Sequence, residues 1–328
     1  LVKYAAIYTT NAPLIGQMNQ LLTQISTPRV RHLLWSVLSP DLAYAKSITA
    51  LNVSLDNTLR AWFIKLDQNP SLLNAYLANS KSALLGIYFE NLWQFFLENA
   101  PDWQLEAHNI QIIQNKKTLG ELDILAEHHG TQGYHLELAV KFYLQHPNYT
   151  GELCEHWLGP QCRDKLDLKL SKLNNQQFPI LNHPQTQATL AQRNISPPAS
   201  QALILKGYLF SKWQRDFTLP IEANPACLMG EWLHQKDIPE LIHSDYHWLL
   251  IEKPNWLGPV QVPKGSAKPY LLTGNEVVEA VQEHFLERPS NHALMLIKVI
   301  SEQILFIEKS RYLVVSDLWP NTMNQKRL

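Results

Sequence analysis

Cysteine is scarce in this chain: Cys154, Cys162 and Cys227 are the only three among 328 residues. So small and odd a set builds no disulfide framework, which suits a reducing cytoplasm and leaves stability to a packed core. Charge is scarce as well. Charged residues make up 17% of the chain, against a usual share of about a quarter, and the formal net charge is −1. That excludes a bulk-basic nucleic-acid binder and confines any polyanion contact to a local patch. No run approaches the ~18 uninterrupted apolar residues of a bilayer-spanning helix. The opening residues LVKYAAIYTTNAPLIGQ lack the basic start and apolar stretch of a signal peptide. The expectation is a soluble cytoplasmic protein without a membrane association. It starts with Leu, so a few N-terminal residues are expected to be missing. Oligomeric state leaves no signature.

Apolar residues, in contrast, are plentiful. They form 45% of the 328 residues, enough for a large core and more than one structural unit. Ten Trp and twenty Pro suit a rigid protein with structured loops. Residues 1–82 read as helical: IGQMNQLLTQI and RVRHLLWSVL carry apolar residues at helical spacing, and Ser39-Pro40 breaks the pattern. ALLGIYFENLWQFFLENA (83–100) reads as a strongly apolar helix ended by Pro101.

The period then changes to two. WQLEAHNIQII, TLGELDILAEH and GYHLELAVKFYL read as three consecutive strands, and their short polar connections predict an antiparallel meander. QCRDKLDLKLSKLN (161–174) reads as an amphipathic helix, 175–199 as a polar loop, and ALILKGYLF (202–210) as a further strand. The expected blocks are a helical N-terminal region (1–82), a core (83–212) and an α+β C-terminal region (213–328). The last has a Trp- and Pro-rich segment, a helix near 275–287 and a closing strand pair, ALMLIKVIS and SRYLVVSDLWP.

Chemistry concentrates in two of the core strands. Alternation puts Glu121 and Asp123 on one face of GELDIL (120–125), and Glu137, Ala139 and Lys141 on one face of HLELAVK (135–141). The strands are neighbours, so one sheet face holds three carboxylates and an ammonium. Charges buried there have to pair or bind a metal. Close carboxylates repel, and a divalent cation removes the repulsion. An oxygen-rich set suits Mg²⁺ or Mn²⁺. The alternative is an ion-pair patch with Lys141 neutralising Glu137 or Asp123.

Helix, three antiparallel strands, helix, strand is the element order of the PD-(D/E)XK nuclease superfamily, and GELD followed by Glu137 resembles its G-E-x-D and E-x-K signature. The words GELDIL (120–125), LELAVKFYL (136–144), WLGP (157–160) and RDKLDLKL (163–170) more closely resemble a bacterial family catalogued only as a domain of unknown function with such a core. The resemblance covers residues 84–212. It implies an α/β fold with a restriction-endonuclease-like core (α-β-β-β-α-β, mixed sheet), and Mg²⁺- or Mn²⁺-dependent hydrolysis of phosphodiester bonds in DNA or RNA. It implies Asp123, Glu137 and the carbonyl of Leu138 as metal ligands, Lys141 as the catalytic lysine, and Glu90 as an additional carboxylate. The chain departs from the signature at one place: the spacing is E-x-x-x-K, with Ala139 two before Lys141. Glu137 and Lys141 are then about 13–14 Å apart along a strand rising ~3.3 Å per residue, instead of about 7 Å. An inactive module that grips nucleic acid or a protein partner is therefore the alternative.

Other residues support the same reading. Glu121 is a candidate partner of Lys141. Lys165, Lys169 and Lys172, at i, i+4, i+7 beside Arg163, make a basic stripe suited to phosphate; the bland reading is a solvated face balanced by Asp164 and Asp167. His146, Cys154, His156 and Cys162 match no compact zinc spacing. His128-His129 reads as a surface turn, and Trp157, Trp213 and Trp256 as packing residues before base-stacking ones.

Overall fold

The alternating stretch between residues 103 and 145 forms three long strands, because each buries one set of side chains and leaves the other to a different environment. In the computed structural model the described residues are 11–46, 48–51, 53–80, 82–128, 133–242, 246–267, 271–287 and 292–321. Residues 1–10 of the expected helical region, and His129, lie outside them. The chain divides into two compact units, neither a single stretch of sequence: 1–141 with 168–207 and 222–227, and 142–167 with 208–221 and 228–328. Both units combine strands with helices. Among the described residues no helix is long and apolar enough to cross a membrane.

The first unit opens with helices Asn11–Leu22, Pro28–Leu38, Asn57–Gln68 and Ser71–Ala78. Asp56 caps the third by accepting from Leu59 N at 2.8 Å. Asp67 accepts from the backbone of Ser26 (3.0 Å) and Thr27 (2.7 Å) just before the second. Between them lies a short strand, β1 (Thr49–Ala50). The helix Leu85–Asn99 buries Phe89, Leu92, Trp93, Phe95 and Phe96 completely or nearly so and stops before Pro101, as its composition predicts.

The meander follows as β2 (Trp103–Gln114), β3 (Lys117–His128) and β4 (Tyr134–Gln145). β2 and β3 are antiparallel and turn through Asn115 and Lys116, both in the left-handed region (φ 50° and 63°), the conformation that continues the twist of a two-residue hairpin. β3 and β4 pair antiparallel with Ile124 opposite Leu136 and Leu125 opposite His135. The small strand β5 (Trp157–Leu158) pairs with the end of β4 in the second unit. β6 (Ser200–Lys212) comes next to β4 in strand order and takes β1 in parallel, so the sheet is mixed.

Two expectations need correction. The helix expected over 161–174 covers only Leu166–Lys172 and passes into a π-helical turn, Leu173–Gln177. Its start is delayed because Gly159 N bonds to Asp164 O and Cys162 is left-handed (φ 57°), which builds a turn where the helix was to begin. The stretch 175–199 is not a loop. It holds a 3₁₀ turn (Pro179–Asn182) and a helix (Pro184–Gln192), and His183 caps that helix through Gln185 N. Leu181 and Leu190 there pack with Ile110, Ile112, Leu122 and Leu125 of the hairpin, a contact no local pattern announces.

Two buried groups anchor β6 in this unit. Lys206 Nζ lies 3.1 Å from Asp41 Oδ1 and donates to Ser39 O, and Asp41 Oδ1 also accepts from Leu205 N at 2.9 Å. This turns the Ser39-Pro40 break into a fixed corner. Gly207 then lets β6 approach β4: its φ is +137°, and a Cβ there would stand 1.7 Å from the backbone oxygen of Lys141.

In the second unit the end of β6 pairs in parallel with β7 (Met229–His234), and β7 with β11 (Leu305–Val315). β11 is antiparallel to β9 (Gln261–Pro263) and β10 (Leu294–Ser301), and β10 to β8 (His247–Ile251). The helix Gly274–Glu287 buries Val277, Val281 and Phe285 with Trp248, Leu296 and Val314. Arg311 is buried here. It binds Glu308 through Nε (2.9 Å) and Nη2 (3.0 Å), donates to the carbonyls of Trp256 and Gly258, and lies over the Tyr208 ring.

Gly207→Ala is expected to lose roughly 2–4 kcal/mol in urea unfolding, combining left-handed strain with overpacking. Gly86→Ala, at a helical position with open space, is expected to be neutral or slightly stabilising. Equal stability of Gly207→Ala and wild type would contradict the close approach.

Candidate active site

Antiparallel pairing of β3 and β4 brings the acidic words together. The register that sets Ile124 opposite Leu136 leads to Asp123 and Glu137 one step further along. Leu138 N donates to Asp123 Oδ2 at 3.0 Å.

Glu137 is completely buried. Its Oε2 accepts from Gln177 Nε2, and Lys169 Nζ donates to Gln177 Oε1 at 3.0 Å. Its Oε1 lies 3.1 Å from Nε2 of His135, out of line for a good hydrogen bond, and neither atom has a hydrogen-bond partner. His135 is also fully buried. Its Nδ1 is 3.0 Å from Gln201 Nε2, which donates to Phe178 O at 2.9 Å. An amide NH₂ on Nδ1 leaves that nitrogen the acceptor, so the ring proton sits on Nε2, facing Glu137.

Burial dominates the electrostatics of this face. It pushes the Glu137 carboxyl up to about 7 against the pull of Lys169, a hydrogen bond with Asp123, and Lys172. It raises Asp123 to about 6, with the Glu137 charge adding to it and the Leu138 amide and Lys169 opposing. Two carboxyls near one another away from water disfavour double ionisation, and each is held above the usual carboxylate range. Burial likewise holds His135 down to about 4, hence neutral. Lys169 is lowered, chiefly by burial, while Glu137 and Asp123 hold it up and Lys141 and Lys172 push it down.

Glu90, half-buried on the helix Leu85–Asn99, is pushed up to about 7 by burial and then by the charges of Asp123 and Glu121. Glu121 is raised by burial and by Asp123. Lys141, also half-buried, is close enough to Lys169 for its charge to act there. Lys165 and Arg163 belong to the second unit. Among the described residues no group of three or more His, Cys, Asp or Glu side chains is arranged to hold a metal ion, which applies equally to His146, Cys154, His156 and Cys162. Those two histidines instead bracket the Tyr149 ring, at 4.8 and 4.3 Å between centroids. Trp157 and Trp256 are buried and donate to the carbonyls of Gly151 and Ile251, and Trp213 packs on a core cluster.

The donors that are gathered suit a hard divalent cation. They are the carboxylates of Asp123 and Glu137, the latter with Oε1 unbonded, beside the backbone of Leu138. Three members of the constellation lie outside the sequence reading. Strand alternation places His135 on the face of Glu137 and could have found it. Gln177 and Gln201 carry no local signal, because one sits in a stretch that reads as loop and the other opens β6.

A protein-family model described as a domain of unknown function (DUF1853) matches residues 31–315. No curated protein and no solved structure matches the chain.

The raised carboxyl pKa values fix a sign. A carboxyl raised on folding stabilises fully below its unfolded pKa, and that contribution is lost as pH rises through the folded value. His135 acts oppositely: its contribution is present above pH ~6.5 and lost as pH falls toward about 4. Above pH ~6.5 the carboxyls act alone. In chelator the melting temperature is expected to fall by roughly 2–4 °C between pH 6.5 and 8. Added Mn²⁺ should recover more of it at pH 8 than at pH 6.5. A flat or rising profile in scanning fluorimetry would contradict the carboxyl assignments.

Proposed function

The chain belongs to the family described as a domain of unknown function (DUF1853), and on that premise we propose that it is a divalent-metal-dependent nuclease of the PD-(D/E)XK type, hydrolysing phosphodiester bonds of DNA or RNA. The observation that carries this reading is the Asp123–Glu137 pair on neighbouring strands: Leu138 N holds the half-buried Asp123, Glu137 is fully buried, both carboxyls are raised, and Lys169 donates to Gln177, the amide bound to Glu137. Such a pair has little structural value by itself, because burying like charges is unfavourable until a cation joins them.

Asp123, Glu137 and the Leu138 carbonyl would hold Mg²⁺ or Mn²⁺, which supplies Lewis acidity toward a phosphoryl oxygen and acidifies water. Leu138 N orients Asp123, and Gln177 orients Glu137. A lysine beside the pair stabilises charge building on the phosphoryl oxygens. Lys141 follows Glu137 by four residues on β4, and Lys169, from the following helix, donates to Gln177, the amide bound to Glu137. Glu90 adds a carboxyl able to take a proton near neutral pH. In the hydrolysis, the water oxygen bonds to phosphorus as the bond from phosphorus to the leaving sugar oxygen breaks. One water proton ends on that sugar oxygen, and the other leaves with ionisation of the new phosphate.

A binding module that keeps the fold without cutting is the second reading. It is favoured by the lack of a three-side-chain His, Cys, Asp or Glu cluster among the described residues.

Single-stranded, double-stranded, branched and RNA substrates, assayed with Mn²⁺, Mg²⁺ and chelator, test the proposal. Metal-dependent cleavage is expected, reduced at least about 100-fold in Asp123→Asn and in Glu137→Gln. Nucleic-acid binding without cleavage would support the second reading. Equal cleavage by wild type and Asp123→Asn would trace the activity to a contaminant.

A further inference from the structure

Resting on that reading, we propose that Lys169 supplies the working ammonium of the carboxylate pair, the role the strand pattern gives to Lys141, and that Gln177 is the residue that positions it.

The amide of Gln177 fixes the arrangement. A carboxylate oxygen only accepts and an ammonium only donates, so the amide between them has one consistent orientation: Nε2 toward Glu137 and Oε1 toward Lys169. The three groups form a directed chain, Lys169 to Gln177 to Glu137.

The backbone supplies the reach. Lys169 and Gln177 are eight residues apart, on either side of the passage from the α-helix Leu166–Lys172 into the π-helical turn Leu173–Gln177. π-Turns are rare and recur at functional sites. Here the wider turn aims Gln177 back along the helix, so that it meets both Lys169 and the strand carboxylate.

Position also separates the two lysines. Lys141 is four residues beyond Glu137, about 13 Å along an extended strand. At the same point its backbone oxygen is pressed against Gly207. Lys169 comes from another element, its charge acts on both Asp123 and Glu137, and burial strengthens that action. Lys172 also acts on Glu137 and adds positive charge behind it.

The test uses the full chain and three readouts: single-turnover cleavage of a labelled oligonucleotide with Mn²⁺, affinity for the same oligonucleotide in chelator, and calorimetric affinity for Mn²⁺ alone. Lys169→Met is expected to slow cleavage at least about 100-fold while oligonucleotide affinity stays within about threefold. Lys169→Arg is expected to regain at least about tenfold of the rate, and Gln177→Leu to slow it about tenfold. Lys141→Met is expected to lose at least about tenfold less than Lys169→Met.

An ammonium beside the pair repels a cation, so Lys169→Met should also tighten Mn²⁺ binding by roughly three- to tenfold, and more than Lys141→Met does. If Lys169→Met does not fold, Lys169→Gln replaces it. Lys141→Met as damaging as Lys169→Met, or Mn²⁺ affinity that responds to Lys141 rather than to Lys169, overturns the assignment. A wild type that binds Mn²⁺ without cutting removes the hydrolytic reading alone, and the Mn²⁺ affinities then decide the lysine. A wild type that neither binds Mn²⁺ nor cuts removes both.

Discussion

A carboxylate with no exposed surface in the middle of a strand is the constraint on which the rest of the first unit turns. Glu137 has left water behind, and solvent cannot screen it. An isolated buried charge is worth several kcal/mol of destabilisation, so the surroundings either neutralise the group or answer it with donors and cations. Here they do both. Its pKa is raised, Gln177 donates to one oxygen, and His135 faces the other with its own Nδ1 tied to Gln201. Lys169 and Lys172 contribute positive charge from the following segment. Replacing Glu137 by Leu would spare the fold these devices.

The fold supplies these devices from elements that have their own reasons to be where they are. The apolar helix Leu85–Asn99 packs because Phe89, Leu92, Trp93, Phe95 and Phe96 must leave water, and it carries Glu90 with it. The segment after Lys172 covers the β2–β3 hairpin through Leu181 and Leu190. That cover holds the π-turn and Gln177 where Glu137 needs them. β6 is pinned by the Asp41–Lys206 pair and lies close to β4 through Gly207. It also carries Gln201, the partner of His135. Packing and polar satisfaction thus share the same pieces of chain.

Much of this was legible locally. The three strands, the apolar helix before them, the helix near 275–287 and the closing strand pair follow from periodicity and from the residues that stop each element. The neighbourhood of Asp123 and Glu137 follows from two alternating strands joined by a short connection. The helix start at Leu166 was not legible. Residues 161–165 have helical composition, but the Gly159–Asp164 bond and left-handed Cys162 close a turn first. The helix Pro184–Gln192 was hidden because its polar composition resembles a loop; burial of Thr186 and Leu190 and the His183 cap stabilise it.

The sequence by itself determined which face of the meander is acidic, because a two-residue period leaves no freedom once a strand forms. It also placed Asp123 and Glu137 on adjacent strands. Only the tertiary structure decided which partners reach that face. Gln177, Gln201 and Lys169 arrive from segments 40, 66 and 32 positions beyond Glu137, His135 and Glu137 respectively. Contacts between residues so far apart depend on how whole elements pack, and no local pattern encodes that. The same holds for the lysine: spacing along the strand nominates Lys141, while the packing of the next helix brings Lys169 to Gln177, the amide bound to Glu137.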